Sequence, residues 1–286
     1  MKRIGLLTTS YPRFPGDVAG CFVEGFAETL VSIGHSVEVH CPEPPERSTR
    51  APRPGIDVSE VPYMRPRRAA RTFYGDGVPE NVRRAPWLGL GVPAFAAALD
   101  RAVARAVPHL SALVSHWAIP SGLVAARHAG ARPHVAVFHS ADVHLLERLP
   151  MSRALARALL RGTTAAWFVS DDLHERFARC AGGLPRELRV HVAPMGFEPD
   201  ITPPRSRSEV RARLGLERFT VLALSRLVPI KGLDDAVLAL GRVRNVELVI
   251  AGEGSERAQL ERLARSSSTC ARFEGHVVGE CKRALL

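Results

Sequence analysis

The chain has 286 residues, 46% of them hydrophobic and 6% aromatic, enough for two domains of ordinary size with a sizeable core. Its net charge of +10 comes from 36 arginines and only three lysines, spread along the sequence rather than gathered in one patch. Such a surface favours anionic partners, but no helix-turn-helix, zinc or aromatic-stacking signature accompanies it, so nucleic acid is not expected among them.

In chain order, short apolar β-branched runs alternate with amphipathic helical stretches, which predicts a doubly wound α/β architecture. Residues 4–8 read as a buried strand and residues 10–20 (SYPRFPGDVAG) as a Gly/Pro loop. Phe22, Val23, Phe26, Ala27 and Leu30 then recur at helical spacing until Gly34, and residues 37–41 form a second strand. The start MKRIGLLTTS has too short an apolar stretch for an export signal and no cleavage site after it, so a cytoplasmic location is expected. Residues 42–86, rich in proline and arginine, interrupt the rhythm and read as irregular. The longest apolar run, residues 85–99, is interrupted by Pro86, Gly89, Gly91 and Pro93 and is not expected to span a bilayer.

Further strands are predicted at 112–115, 135–138, 165–169 and 190–193. The stretch 198–208 (EPDITPPRSRS) reads as a linker, dividing a first domain at 1–197 from a second at 209–286. The second domain should begin with a short helix at 211–214. Strands at 220–225, 247–251 and 271–274, helices at 233–240 and 256–265, and the start of a helix at 279 follow. Five widely spaced cysteines, with no pair two residues apart, suggest neither zinc nor a redox dithiol.

Several residues at strand ends have chemical potential. The 10–20 loop lies between a strand and a helix, where backbone amides and the helix dipole meet anions; Gly16 and Gly20 equally suit plain turn geometry. Arg226 and Lys231 leave the carboxyl end of one strand, either side of Pro229, suited to gripping two linked phosphates or simply exposed in a solvated loop. Gly252 and Gly254 leave the next strand. His116 and His139 each follow an apolar strand, where ligand contacts occur in open α/β sheets and where structural histidines occur as well. Asp142 either orients His139 or caps the following helix. Arg153, Arg157 and Arg161 share a helical face, fit for a membrane surface, an acceptor phosphate or solvent.

Together these segments resemble the retaining GT-B glycosyltransferases of the large family that contains sucrose and trehalose synthases and lipid mannosyltransferases. FPGDVAGCFVEGFAETL with GHSVEVH, HWAIPSGLVA, FHSADVHLL, and above all SRLVPIKGLDDAVLAL with LVIAGEGSER and FEGHV carry the likeness. The resemblance implies two Rossmann-like domains with an active site in the cleft between them. It implies an NDP-sugar donor, a lipid or saccharide acceptor, retention of configuration and no obligatory metal or other cofactor. It assigns Arg226 and Lys231 to the donor diphosphate, Gly16 to an approach to the phosphates, and Gly252 and Gly254 to the nucleoside side. His139 is then the active-site histidine near the transferred sugar, with His116 and Asp142 on the acceptor side.

The chain departs from that family in lacking the glutamate pair, eight apart and opening E-G-F/Y-G, that follows its last helix. Glu253 and Glu261, and Glu209 and Glu217, have the spacing without the surrounding residues. The second domain therefore reads as incomplete and the chain as truncated. The alternatives are a sugar-nucleotide or polyanion binding module without turnover, and a sugar-nucleotide epimerase on the same fold. Peripheral contact with the inner membrane face is an expectation from the basic surface.

Overall fold

The computed structural model describes residues 1–196 and 206–286, which fall in two compact units, Met1–Glu198 and Pro199–Leu286. The boundary falls within the predicted linker, of which residues 198–205 lie outside the described residues.

The first unit is built on a seven-stranded, wholly parallel sheet in the order β3-β2-β1-β4-β5-β6-β7. The strands are β1 (Arg3–Leu7), β2 (Ser36–Pro42), β3 (Ile56–Val61), β4 (Ala112–His116), β5 (His134–Phe138), β6 (Ala165–Phe168) and β7 (Arg189–Val192). Helices α1 (Cys21–Ser32), α2 (Val78–Arg84), α3 (Gly91–Ala106), α4 (Leu123–Ala129), α5 (Ser140–Arg148), α6 (Ser152–Arg161) and α7 (Asp171–Ala181) accompany them. Central strands buried on both faces read as continuous apolar runs. In β1, Ile4 packs with Phe26 and Leu30, and Leu6 with Val23, Ala27 and Val39, towards α1. Leu7 instead joins Phe95, Leu99, Val103 and Val124 of α3 and α4. A third cluster around Phe138, Phe168 and Phe177 holds α5, α6 and α7.

Helix ends follow local chemistry. Ser170 Oγ accepts the Leu173 amide to start α7, Asp171 and Asp172 sit in its positive first turn, and Gly182 closes it in a left-handed conformation. Arg157, expected on a basic face, donates to the Ala181 carbonyl at 3.1 Å and so satisfies that same helix end.

Two stretches differ from the sequence reading. Residues 42–86 contain β3 and α2, ordered by side chains that no periodicity announces. Glu60 pairs with Arg50 at 2.9 Å and Arg67 at 3.1 Å, Arg65 pairs with Glu43, and Tyr74 Oη donates to the Pro42 carbonyl. Helical structure also runs through residues 86–99. Pro86 opens a short 3₁₀ turn and Pro93 lies in the first turn of α3, where a missing N–H leaves no helix bond unmade. The resulting stretch Pro86–His109 is, by length and composition, apolar enough to cross a membrane. Phe95, Ala98, Leu99 and Val103 are its buried side, packed in the core of the first unit.

The second unit carries a three-stranded parallel sheet in the order β10-β9-β8, from β8 (Phe219–Leu224), β9 (Val246–Ala251) and β10 (Ala271–Gly275). Its helices are α8 (Arg207–Leu214), α9 (Leu233–Leu240), α10 (Arg257–Ser266) and α11 (Gly279–Leu285). The first begins four residues earlier than expected because Ser206 Oγ accepts the Glu209 amide, so Arg207 and Ser208 are helix rather than linker. Leu227, Val237, Leu248, Ile250 and Leu260 form the core of this unit. β9 is buried along most of its length, whereas β8 has no buried residue.

Candidate functional site

In the first unit, the carboxyl ends of β4 and β5 and the start of α1 bring together a compact aromatic and imidazole cluster. His116 ends β4, and His139 is the N-cap residue of α5 immediately after β5. Their rings lie edge to edge and nearly coplanar, with centroids 5.3 Å apart and an interplanar angle of 17°, and His116 Nδ1 lies 3.1 Å from His139 Nε2. Phe22 of α1 stands 5.1 Å from the His139 ring, Trp117 5.0 Å from it, and Phe26 5.2 Å from His116. Burial holds both histidines in the neutral form. His139 is pushed down to about 4, and His116, further lowered by its histidine neighbour, lies well below its usual range.

Asp142 sits in the first turn of α5, where its carboxyl faces the backbone amides of His139, Asp142 and Val143. Its Oδ2 accepts the Ala118 amide at 2.7 Å, just after Trp117, which holds a positive φ of 69°. Burial raises the carboxyl to about 7 against the opposing pull of the amides at Ala118, Asp142, Val143 and His139. The side chain therefore clamps the β4 loop to the first turn of α5. His116 is 0% and Asp142 3% exposed, so both side chains are shut away from solvent.

The 10–20 loop is braced from within. Arg13 and Asp17 form a two-pronged pair at 2.6 and 3.1 Å, while Asp17 also accepts the amides of Arg13 and Ala19. Burial pushes the Asp17 carboxyl up, but the Arg13 bonds and these amides outweigh it and hold it below its ordinary value. The Arg13 guanidinium lies 4.8 Å from the Tyr74 ring centroid. Gly16 sits at the turn with φ +82° and open space where a side chain would project. Phe22, two residues beyond the loop's last glycine, carries the loop's helix onto His139.

In the second unit, the two glycines and the two basic residues lie on adjoining loops. The amides of Ser225 and Leu227 donate to the carbonyls of Ala251 and Glu253, and the Leu227 carbonyl accepts the Glu256 amide. A Cβ at Gly252 would strike the Ser225 carbonyl, and one at Gly254 the Leu227 carbonyl, so only glycine allows the two chains to run this close. The exposed side chains of Arg226 and Lys231 extend from the loop so held, with Lys231 closing a single 3₁₀ turn ahead of α9. Glu253 and Glu261 flank Arg257 on α10, which donates to them at 2.5 and 3.0 Å, so their spacing reflects a helix-surface ion triad. Among the described residues, no group of three or more His, Cys, Asp or Glu side chains converges as a metal site.

Sequence reasoning missed Phe22, Trp117 and the Arg13–Asp17 brace. Phe22 was legible only as one member of an apolar helix stripe, and Trp117 stood beside His116 without a mark of its own.

Comparison with known proteins bears on the same segments. The profile of Glycosyltransferase Family 4 matches residues 20–201, and that of Family 4 Glycosyltransferase in conflict systems matches residues 133–278. A Mycobacterium tuberculosis protein named GDP-mannose-dependent alpha-(1-6)-phosphatidylinositol monomannoside mannosyltransferase is 38% identical over 159 residues, 51% of this chain and 40% of that protein. Its Mycolicibacterium smegmatis namesake is 37% identical over 148 residues, 49% of this chain and 37% of the relative. These matches thus span about two fifths of the curated relatives' length. Among solved structures, sucrose-phosphate synthase from Thermosynechococcus elongatus aligns with a TM-score of 0.66 at 15% identity, over 97% of this chain and 71% of that one. Anabaena HepE in complex with UDP and glucose aligns with a TM-score of 0.61 at 18% identity, over 97% and 70%. At such identity these structures speak for the fold, two Rossmann-like sheets of the GT-B type. With one family profile covering more than half of its residues, the chain belongs to glycosyltransferase family 4.

Proposed function

We propose that this chain is the donor-gripping and acceptor-side portion of a retaining glycosyltransferase that moves a sugar from an NDP-sugar to a lipid or saccharide acceptor. The observation that carries the reading is the glycine-locked pair of loops that holds Arg226 beside the Gly252–Gly254 turn, with Lys231 further along the same loop. A guanidinium and an ammonium there meet two linked phosphates and offset the negative charge that grows on the departing diphosphate. His139, neutral because it is buried, serves as a hydrogen-bonding contact to a sugar hydroxyl rather than as an acid. Neither an obligatory metal nor a nucleic acid partner belongs to the proposal. GDP-mannose is the donor to test first, since both mycobacterial relatives are named for it. A cytoplasmic location with peripheral contact to the inner membrane face accords with the net charge and with the lipid named as acceptor for those relatives.

The test is thermal unfolding of the purified chain with GDP, UDP or ADP, since a ligand that binds only the folded state raises the melting temperature. One nucleotide should raise it, and Arg226→Ala and Lys231→Ala should each weaken that nucleotide about 10- to 100-fold, the value of one charge-assisted contact. Unchanged affinity in both variants refutes the assignment. A second reading is nucleotide-sugar binding without turnover. Transfer of labelled mannose by homogeneous protein would eliminate it.

A further inference from the structure

His116 and His139 carry four ring nitrogens, and only one close contact joins them, His116 Nδ1 to His139 Nε2 at 3.1 Å. A contact of that length needs one proton between the two atoms. Two lone pairs would repel, and two N–H groups would clash. With both rings neutral, the two tautomers are therefore locked together: either both histidines carry the proton on Nδ1, or both carry it on Nε2.

The far side of His116 decides between these. Its Nε2 is buried without a hydrogen-bond partner, in a ring that is 0% exposed and lies 5.2 Å from Phe26 in an edge-on arrangement. A proton on Nε2 would leave a buried donor with nothing but an aromatic ring to receive it, and such a contact is weaker than a bond to nitrogen or oxygen. Orphaned buried N–H groups are rarer than orphaned acceptors. A proton on Nδ1 leaves only a lone pair unmatched.

We infer that His116 is the positioning residue of His139: it donates from Nδ1 to His139 Nε2 and thereby holds His139 as the Nδ1–H tautomer. Among the described residues, no protein group takes up His139 Nδ1, and that atom is not among the buried unpartnered ones. It is the one nitrogen left for a ligand, and it meets that ligand as a donor, so the group it selects is an oxygen acceptor such as a sugar hydroxyl. The bond from His116, with Phe22 and Trp117 around the ring, fixes the direction in which it donates. The catalytic consequence rests on the reading that His139 contacts the transferred sugar, whereas the tautomer does not.

Long-range ¹H–¹⁵N NMR of the ¹⁵N-histidine-labelled full chain separates the two questions, with His139 identified by the signal lost in His139→Asn. The wild-type protein should show His139 protonated at Nδ1, and His116→Asn, whose amide nitrogen replaces the Nδ1 donor, should keep it so. His116→Leu, judged folded by a cooperative melt, should turn His139 into a mixture of tautomers. In a transfer assay the Leu variant should lose about 10- to 100-fold in kcat with an unchanged KM for the donor, and the Asn variant should recover most of that loss. Protonation of His139 at Nε2 in the wild type, or an unaltered tautomer in His116→Leu, overturns the inference. Absence of transfer alongside the expected tautomers would instead refute the transferase reading and leave the positioning role standing.

Discussion

β1 and β8 each open the sheet of their unit along the chain, but β1 lies in the interior of its sheet and β8 at the edge of its own. β1 pairs with β2 on one side and β4 on the other, and four of its five residues are buried. Among the described residues β8 pairs with β9 alone; it leads with Phe219 at 69% exposure and has no buried residue. The runs RIGLL and FTVLAL are about equally apolar, so the difference comes from neighbours and not from composition. A strand covered on both edges is protected by the cooperative core, whereas an edge strand offers unpaired N–H and C=O groups to anything that meets it. Amide exchange should accordingly be slow along β1 and fast along β8, and equal protection would break the comparison.

The largest expected effect lies in the well-covered unit. Phe177→Ala removes a ring 4.4 Å from Phe138 and 5.6 Å from Phe168 and should destabilise the first unit by about 3–5 kcal/mol in denaturant unfolding. In the second unit, Gly254→Ala sets a methyl group against the Leu227 carbonyl and should force the two loops apart, with loss of nucleotide-induced stabilisation. An unchanged nucleotide response would show that close loop packing does not hold the basic pair.

Titration sharpens the contrast further, because the buried ionisable groups of the first unit act in opposite directions. His134 and His139 are each pushed by burial from 6.5 to about 4. The unfolded chain binds their protons first, so their contribution destabilises progressively as pH falls from about 6.5 to 4. Asp142 is raised from 3.8 to about 7, so the unfolded chain loses that proton first and stability declines as pH rises from about 4 to 7. Asp142→Asn keeps an acceptor for the Ala118 amide and abolishes the second trend. Its melting temperature should climb more steeply with pH over that range than the wild type's, and parallel curves would disprove the assignment. The smallest effect is Phe219→Lys at the exposed start of β8. It should change stability by less than about 0.5 kcal/mol while reducing concentration-dependent association in light scattering.

Much of this architecture was legible beforehand. Strands such as 112–115 and 135–138 were found to within a residue or two, because an apolar run bounded by turn residues is a local signal. The placement of Arg226, Lys231, Gly252 and Gly254 on the loops after β8 and β9 was legible because an apolar run that gives way to polar or glycine residues marks a strand end. β3 was missed because IDVSEV is a half-exposed edge strand inside a proline-rich region, held by the ion pairs of Glu60 with Arg50 and Arg67. Those partners are ten and seven residues away, too irregularly spaced to form a period.

By itself, then, the sequence determined the alternation of strand and helix, the division into two units and the loops that carry the basic pair, all of which rest on patterns within a few residues of chain. Tertiary structure alone decided that His116 faces His139 across 23 residues, that Asp142 holds the Ala118 amide across 24, and that both are shut away from solvent. Tautomers, buried charges and strand coverage depend on what the folded chain places alongside a residue, and no local pattern encodes that neighbour.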